Sequence, residues 1–396
     1  MKILALNAGS HSFKAHVYAL GDIIPEEPDH PLARWAIAFP SLPAMALLRS
    51  WNSDYHERSI LVDSPHAVVE HLLDEVMPRE TPDVIAHRVV AIGAAYQSDC
   101  LVDAGVRKAI ETARELSPEH NTAVLASVDI IARRYPKIPQ VAVLDSTFHR
   151  DLPEAASTYG VPIEWRDAYG IHRTGYHGLS HSYVTRRVAR SIGGSGTRVV
   201  SCHLGGGASL AAVCDGRSVD TTMGFTPLEG LVMSTRSGSL DPGIVLYLLE
   251  HSSYTVTTLA HALRYDSGLR GLSGRSGDMR EILANRVADP RSQLALDVYI
   301  HRLRGKIAAM AAALGGIDAL VFTGGVGENA PEVRAAACNG MEFLGITCDV
   351  QANDALSDQD GEIGAAGAPV RTFVVRTREE WEVARAACLT LRAIAH

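Results

Sequence analysis

Four loops rich in glycine and small polar residues are the segments of this chain best suited to binding a ligand. They occupy residues 7–12, 203–209, 267–278 and 323–329. Glycine lets a ligand approach the backbone closely, so the N–H groups of such loops can surround phosphate oxygens. None of the four matches the Walker A pattern or a clean G-x-G-x-x-G that opens a helix. Their number, together with Lys14 beside the first loop, indicates a nucleotide site.

Charged side chains and histidines stand near the ends of other predicted elements. Arg88 lies in VIAHRVV, Asp145 ends QVAVLD and Arg236 lies in MSTRSG, while His177 and His181 share the segment GYHGLSH. Phosphoryl transfer spreads negative charge over the equatorial oxygens, which arginines and a histidine can stabilise. An aspartate near the acceptor can orient it or handle a proton. These residue types therefore suit phosphoryl transfer.

Simpler interpretations apply to the same residues. An arginine at a strand end more often forms a surface ion pair, and Asp145 could cap a turn. The i, i+4 spacing of His177 and His181 could hold zinc, or the pair could merely open a helix. The zinc hypothesis is weak because the segment lacks the glutamate of H-E-x-x-H and shows no third ligand.

Bulk properties limit the classes of protein to consider. A chain of 396 residues with 46% hydrophobic and 21% charged residues predicts a folded protein of two domains. The net charge of −8 and the absence of a basic run argue against nucleic-acid binding. Six cysteines without metal spacing predict reduced thiols. We expect no signal peptide, no membrane span and a cytoplasmic location.

One pattern, a strand followed by a small-residue turn and a second strand, occurs twice. The segments are ILALNAGSHSFKAHVY and VVSCHLGGGASLAAVC, and an offset of 196 aligns Asn7 with His203 and Val17 with Val213. The Asp-Gly pair after the second segment predicts a hairpin turn. The repeat favours two similar domains, although a match this short also arises by chance.

Hydrophobic periodicity predicts alternating helices and strands. The helices are predicted at 64–77, 105–116, 121–135, 181–192 and 291–314. Strands are predicted between them at 83–90, 140–145, 318–325 and 370–377. This alternation is typical of α/β domains with mixed sheets. The crossing between domains is expected around residues 150–175.

The chain resembles the acetate kinase family in a series of blocks that keep the family's order over essentially its whole length. They are NAGSHSFK, HRVV, LDSTFH, GIHRTGYHGLSH, HLGGGAS, DTTMGFTPLEGLVMSTRSGSLDPG, SGLRGLSGRSGDMR, FTGGVGEN and TREEWEVAR. The resemblance implies two RNase H-like domains, of the actin, Hsp70 and sugar-kinase type, around a central cleft. Residues 1–150 plus about 376–396 would form the acyl and Mg²⁺ side, and 151–375 the nucleotide-binding domain.

The same resemblance implies a reaction and its participants. The γ-phosphoryl group of ATP would pass in line to acetate, reversibly, to give acetyl phosphate and ADP. Mg²⁺, with Mn²⁺ as a substitute, would be the cofactor, and a homodimer is implied.

Matched motif by motif, the resemblance also implies a role for individual residues. The metal would be held by Asn7 and Glu379. The acyl substrate would be bound by Arg88, Val90, Tyr176 and Pro227. The catalytic residues would be Asp145, which orients groups, and His177 and Arg236, which stabilise the transition state. The nucleotide would be bound by Lys14, His203, Leu204, Gly205, Gly206, Gly207, Asp278, Met279, Arg280, Gly325, Val326, Gly327, Glu328 and Asn329.

Several positions depart from the family pattern. Where the family pattern is HLGNG, this chain has HLGGG, so Gly206 replaces an asparagine, and the HLGGG form resembles butyrate kinases. Ala91 and Ile92 replace the HG that follows HRVV in the family pattern. Glu119 replaces the apolar residue before a His-Asn pair, and Tyr176 replaces a phenylalanine. An ionised carboxylate would be a poor wall for an acyl methyl group. Either the enzyme accepts a more polar acid, or the Glu119 and Tyr176 side chains turn away from the site.

Two alternatives to an acetate kinase therefore stay open. The first is a kinase for propionate, butyrate or a more polar short acid. The second is a nucleotide switch of the actin or Hsp70 kind, because a fold does not determine a function. Such a switch would not need Arg88, His177 and Arg236 to act on one acceptor.

Overall fold

Two β-sheets, one in each of two compact units, carry the fold. The computed structural model describes residues 1–9, 12–28, 30–39, 42–51, 54–93 and 96–395, so Ser10 and His11 of the first loop lie outside the described residues. Unit 1 comprises Met1–Thr147 and Arg378–His396, and unit 2 comprises Phe148–Thr377.

The strands of the described residues fall into an eight-stranded sheet in unit 1 and a six-stranded sheet in unit 2. Unit 1 contains β1 (Lys2–Ala8), β2 (Ser12–Ala19), β3 (Ala33–Ala38), β4 (Ala44–Trp51), β5 (Tyr55–Val62), β6 (Val84–Val89), β7 (Cys100–Leu101) and β8 (Gln140–Leu144). Unit 2 contains β9 (Arg198–Leu204), β10 (Ala208–Cys214), β11 (Arg217–Thr221), β12 (Ala319–Thr323), β13 (Gly361–Glu362) and β14 (Arg371–Val374).

Helices occupy much of the remaining described chain. The first eight are α1 (Pro65–Val76), α2 (Ala104–Thr112), α3 (Pro118–Arg134), α4 (Glu154–Ser157), α5 (Ile163–Tyr169), α6 (Gly178–Ile192), α7 (Pro242–His251) and α8 (Val256–Tyr265). The others are α9 (Gly268–Ser273), α10 (Met279–Asn285), α11 (Pro290–Ala313), α12 (Gly324–Asn329), α13 (Pro331–Cys338), α14 (Val350–Ala355) and α15 (Glu379–Ala395). Every helix of the described residues is too short or too polar to span a membrane.

The two sheets share one strand order. In unit 1 the antiparallel strands β3-β2-β1 are followed by β6 and β8, both parallel to β1. In unit 2 the antiparallel strands β11-β10-β9 are followed by the parallel strands β12 and β14. This common order is the RNase H-like arrangement, so the predicted fold class is confirmed.

The two hairpins that suggested a repeat are both present, but their turns differ by one residue. Leu4 pairs with Val17, whereas Val200, at the predicted offset from Leu4, pairs with Ala212. The predicted match of Val17 with Val213 is therefore wrong, because the second turn is shorter. The predicted turn after β10 is confirmed, since Asp215 and Gly216 have φ of 51° and 74°, as a tight hairpin requires.

The predicted helices are confirmed with shifted starts. Helix α3 begins three residues early, because Pro118 occupies its first turn, where proline is well tolerated. Helix α6 begins at Gly178, directly after His177. Helix α15, which the periodicity did not predict, packs across β1, β2, β6 and β8 of unit 1. Its first turn therefore reaches the strands that carry the opening loop.

Candidate functional site

The first cluster of predicted site residues lies where three strands of unit 1 end. Asn7 and Arg88 are the penultimate residues of β1 and β6, and Asp145 directly follows β8. Since these strands are parallel neighbours, their carboxyl ends meet at one edge, where α/β sheets bind ligands. Helix α15 brings Glu379 and Glu380 to the same place. The structure thus unites side chains that are far apart in sequence.

Hydrogen bonds join these side chains into one buried network. Asn7 Nδ2 donates to Glu379 Oε2 at 3.1 Å and to Glu380 Oε1 at 2.9 Å. Arg88 donates from Nη1 to Asn7 Oδ1 at 3.0 Å and from Nη2 to Asp145 Oδ2 at 2.8 Å. The buried Nε of Arg88 has no hydrogen-bond partner among the described residues. One buried donor of this guanidinium is therefore unsatisfied by the part of the protein that the structure describes.

Lys14 joins the network from the second strand of the hairpin. It pairs with Asn7 across β1 and β2, and its Nζ lies 3.2 Å from Glu380 Oε1. Glu380 raises the pKa of Lys14 above its ordinary value, although burial opposes this. Burial alone would raise the pKa of Glu380, but Lys14 and other neighbours outweigh it and hold that pKa well below its ordinary range. Both groups are therefore ionised at neutral pH.

Arg88 is charged for the same reason. Burial disfavours its charge, yet Asp145 and Glu379 outweigh the burial and raise the pKa of the guanidinium. Its side chain is only 8% exposed, and that of Asp145 is fully buried. A buried cation between two carboxylates is stable only while its partners remain.

The donor set at this edge of the sheet fits Mg²⁺. This ion prefers oxygen ligands, keeps several waters and is usually held by one or two carboxylates plus substrate phosphates. The Glu379 carboxylate and the Asn7 amide oxygen supply such ligands. Across the described ranges, no group of three or more His, Cys, Asp or Glu residues could hold a metal ion. The described residues thus have the chemistry of a partial oxygen site rather than of a complete cage.

An apolar segment follows Arg88. Val90, Ala91 and Ile92 are between 4% and 5% exposed. Asn121 Nδ2 donates to the Ala91 carbonyl at 2.7 Å and so fixes this segment to α3. Glu119, in the first turn of α3, is exposed to solvent. The departure at Glu119 therefore places its carboxylate on the surface.

The second cluster belongs to unit 2 and is built on histidines and hydroxyls. His177, which precedes α6, has φ of 57°, in the left-handed region that non-glycine residues rarely adopt. Such strained residues concentrate at functional sites. Its Nδ1 lies 2.9 Å from Ser209 Oγ, and its ring stacks on that of His203 with centroids 4.3 Å apart. His203 Nδ1 in turn lies 2.8 Å from Ser180 Oγ.

His181 is part of this hydrogen-bonded core. Its Nδ1 lies 2.8 Å from Ser201 Oγ and its Nε2 lies 2.8 Å from Ser209 Oγ. Burial lowers its pKa well below the ordinary value, and His149 and His203 lower it further. Both ring nitrogens are engaged with serines, which argues against the zinc hypothesis for His177 and His181.

The glycine turn between β9 and β10 brings His177 and Arg236 together. A Cβ built on Gly207 would lie 3.3 Å from Arg236 Nη1 and 3.4 Å from His177 Nε2. A Cβ on Gly206 would meet only Ser234 Oγ, at 3.9 Å. A Cβ on Gly205 would lie 3.9 Å from the amide nitrogen of Gly325. Two predicted catalytic groups and two predicted nucleotide loops therefore converge on this turn.

The predicted acyl-site residues of unit 2 are Pro227, which contacts Arg236, and Tyr176. Arg236 Nη1 donates to the Pro227 carbonyl at 3.2 Å. The Tyr176 hydroxyl donates to the Phe225 carbonyl at 2.8 Å, and the side chain is 2% exposed. The extra hydroxyl at this position is therefore bonded to the protein backbone.

The other predicted nucleotide residues lie on two short helices of unit 2. Gly325 to Asn329 form most of α12, which directly follows β12. Asp278 caps α10 and forms an ion pair with Arg280, whose side chain is 90% exposed. Met279 is 4% exposed and therefore packs in the core of unit 2 rather than presenting its side chain to solvent.

Comparison with known proteins decides the family. A model of the Acetokinase family matches residues 2–385. The chain belongs to this family. The resemblance seen in the sequence is thereby confirmed, and the family comprises phosphotransferases that use ATP and a carboxyl acceptor.

Individual acetokinase relatives cover nearly the whole chain. An acetate kinase of Gloeobacter violaceus is 44% identical over 97% of this chain and 98% of its own. The crystal structure of Porphyromonas gingivalis acetate kinase is 33% identical with a TM-score of 0.85, over 98% of this chain and 99% of its own. A propionate kinase from Francisella tularensis is 32% identical with a TM-score of 0.87, over 97% and 98%.

Three residues that contact the predicted site residues were given no role in the sequence analysis. Glu380 bonds both Asn7 and Lys14, and its position next to Glu379 in TREEWEVAR was the available signal. Arg334 is fully buried and donates to the Gly327 and Glu328 carbonyls at 3.0 and 2.9 Å. Ser209, which bonds two histidines, ends the predicted loop 203–209 but was given no role of its own.

Proposed function

We propose that this chain catalyses the reversible transfer of the γ-phosphoryl group of ATP to acetate, giving acetyl phosphate and ADP. One acetate oxygen forms a bond to the γ-phosphorus while the bond from that phosphorus to the β,γ-bridging oxygen breaks. The charge developing on the equatorial oxygens has to be stabilised by the protein. Acetate is already ionised at neutral pH, so no strong base is needed.

The observation that carries this proposal is the state of Arg88. Its guanidinium is buried and charged, keeps one donor without a protein partner, and precedes the apolar segment Val90 to Ile92. A guanidinium pairs with a carboxylate through charge-assisted hydrogen bonds, and an apolar segment directly after it in the chain suits a short aliphatic acid. Asp145 holds Arg88 in orientation and also orients the groups that react.

The remaining residues of unit 1 would serve the metal and the nucleotide phosphates. Asn7 and Glu379 would hold Mg²⁺, which supplies neutralisation of phosphate charge when bound. Lys14, held by Glu380 and partly exposed, would approach the phosphates.

In unit 2, His177 and Arg236 would stabilise the charge on the transferring group. The glycine turn Gly205 to Gly207, with Leu204 and His203, would bind the nucleotide together with α12 and the Asp278 to Arg280 segment. Backbone donors at these glycines replace the amide side chain that the family pattern has at Gly206.

The positions of Glu119 and Tyr176 favour a small apolar acyl group. Glu119 is exposed and the Tyr176 hydroxyl donates to a backbone carbonyl, so neither offers a polar partner to the substrate. Propionate is the second candidate substrate, because a propionate kinase of Francisella tularensis has a TM-score of 0.87 to this chain.

A substrate panel tests the proposal. The purified chain is incubated with ATP, Mg²⁺ and acetate, propionate, butyrate or glycolate, and acyl phosphate is trapped with hydroxylamine. We expect the highest kcat/KM with acetate. A preference for glycolate would revive the polar-acid alternative, and ATP hydrolysis without acyl phosphate from any acid would favour a nucleotide switch.

We also propose that the enzyme is a cytoplasmic homodimer. Helix α7 supports the dimer, because none of its ten described residues is buried although most are apolar. Ile244, Leu246 and Tyr247 are 48%, 61% and 62% exposed, and apolar patches of this kind mark interaction surfaces. Light scattering of the wild type should give twice the chain mass, and Leu246→Glu should give the mass of one chain.

A further inference from the structure

Two tyrosine hydroxyls in unit 2 bond the backbone of Phe225, one at its N–H and one at its carbonyl. Its N–H donates to Tyr159 Oη at 2.9 Å, and its carbonyl accepts from Tyr176 Oη at 2.8 Å. Phe225 lies in an irregular segment between β11 and α7, so helix or sheet bonds do not order it. The two hydroxyls therefore supply the constraint that regular structure gives elsewhere.

Tyr159 is itself fixed by a charged pair. Its hydroxyl donates to Glu229 Oε2, and Arg173 Nη2 donates to Glu229 Oε1 at 3.2 Å. Burial and the neighbouring Glu229 carboxylate both raise the pKa of Tyr159. The phenol is therefore neutral and keeps the proton that it donates.

Arg173 connects this group to the rest of unit 2. Its Nη1 donates to the Thr221 carbonyl at 3.0 Å, at the end of β11, and its Nε donates to the Ala156 carbonyl at 3.2 Å. The guanidinium also lies over the Tyr159 ring, 5.4 Å from its centroid. Through Glu229 and Arg173, Tyr159 is thus connected to the end of β11.

The backbone passes very close to this anchor. A Cβ on Gly224 would lie 1.7 Å from Glu229 Oε2 and 2.0 Å from Tyr159 Oη. Only glycine fits there, so the segment that begins at Gly224 runs against the Tyr159–Glu229 pair. Pro227, two residues after Phe225, receives the hydrogen bond from Arg236 Nη1 at 3.2 Å.

We propose that Tyr159, anchored by Glu229 and Arg173, is a positioning residue for Arg236. Through the backbone of Phe225 it fixes the position of the Pro227 carbonyl, and that carbonyl orients the guanidinium of Arg236. The Tyr176 hydroxyl adds a second hydrogen bond to the backbone of Phe225. This inference rests on the proposed function, in which Arg236 stabilises the transferring phosphoryl group.

Tyr159→Phe tests the inference, since it removes one oxygen and keeps the ring under Arg173. We expect kcat for acetyl phosphate formation to fall about tenfold, as a misplaced charge-stabilising group costs turnover more than binding. KM for ATP and for acetate should change less than about twofold, because Tyr159 is not among the residues proposed to bind either substrate. Tyr169→Phe, at an exposed tyrosine of α5, is the matched control and should leave kcat unchanged.

A double-mutant cycle separates positioning from a general structural role. In an Arg236→Ala background Tyr159→Phe should cause no further fall in kcat, because its effect passes through the missing side chain. The same tenfold fall in both backgrounds, or an unchanged kcat in the single variant, would overturn the inference.

A crystal structure of Tyr159→Phe makes the outcome independent of the reaction. We expect the Pro227 carbonyl to shift and Arg236 Nη1 to leave it. If the wild type formed no acyl phosphate, the proposed function would fail, and the position of Arg236 in that structure would still decide the positioning inference. If the wild type is active but Arg236 keeps its place, the positioning inference fails alone.

Discussion

The hairpins β1–β2 and β9–β10 have the same place in two sheets of the same strand order, yet their turns carry different chemistry. The first brings Asn7 and the partly exposed Lys14 to a network of charged side chains whose other members are buried. The second is a glycine turn beside His177 and His203, whose partners are serine hydroxyls. A shared strand order therefore predicts where a site forms, but not whether its side chains are held by ion pairs or by hydrogen bonds to hydroxyls.

The difference has an energetic consequence. In unit 1 each buried charge depends on an opposite charge, so removing one leaves another uncompensated in a low-dielectric interior. In unit 2 the corresponding groups are histidines that hydrogen-bond to serine hydroxyls, and Arg236 is partly exposed. Substitutions in unit 1 should therefore cost stability, whereas those in unit 2 should mainly cost turnover.

Arg88→Ala should give the largest effect and exposes the dependence of unit 1 on paired charges. It removes the buried cation that pairs with Asp145 and Glu379, and we expect a loss of about 3–5 kcal/mol in the free energy of unfolding. Urea unfolding measures the loss. Arg58→Ala is the matched control, because the exposed pair of Arg58 with Glu75 should contribute less than about 1 kcal/mol. Equal losses in the two variants would contradict the comparison.

Arg236→Ala should reverse the pattern in unit 2. We expect kcat for acetyl phosphate formation to fall by about 10²–10³, as for the loss of one charge-stabilising donor, while the urea midpoint stays near that of the wild type. Steady-state kinetics and urea unfolding on one preparation measure both quantities. Arg217→Ala, at an exposed residue of β11, should change neither. A kcat close to that of the wild type would remove Arg236 from its proposed role.

Several parts of this arrangement were predictable from sequence for a physical reason. Glycine turns and apolar runs are local signals, and the ends of parallel strands must share an edge, so Arg88 and Asp145 could be grouped. The contact of Glu380 with Lys14 could not be predicted, because it depends on α15 returning to β1 from the far end of the chain.

The direction of a side chain was equally hidden. The Tyr176 hydroxyl faces the Phe225 carbonyl and Glu119 faces solvent, yet residue type alone allowed both to line the acyl site. The match of Val17 with Val213 failed because a one-residue difference in turn length does not alter the pattern of apolar residues.

The pH dependence of stability sharpens the comparison within the core of unit 1. Burial lowers the pKa of His87 to about 4, although its bond to Gln140 opposes this. The pKa of His87 is lower in the folded than in the unfolded chain. Its contribution to the free energy of unfolding is therefore complete above pH 6.5 and is lost as pH falls toward 4. Lowering the pH from 7 to 5 should therefore reduce the free energy of unfolding by about 2 kcal/mol through His87 alone. Urea unfolding at both values should give a smaller difference for His87→Gln than for the wild type.

The control for this titration is His56→Gln, at an exposed residue of β5. It should keep the pH dependence of the wild type. If His87→Gln also kept it, the acid sensitivity would have to come from other buried groups, such as His181 in unit 2.

The glycine turn of unit 2 allows the finest test, because two adjacent glycines differ in what surrounds them. A Cβ on Gly207 would press on Arg236 and His177, whereas a Cβ on Gly206 would make an ordinary contact with Ser234. Gly207→Ala should lower kcat roughly tenfold by displacing these groups, and Gly206→Ala should stay within about twofold of the wild type. Both variants should unfold at the same urea concentration. Equal kinetics for the two would mean that the turn adapts to a side chain, and that His177 and Arg236 are not held as closely as their contacts with Gly207 require.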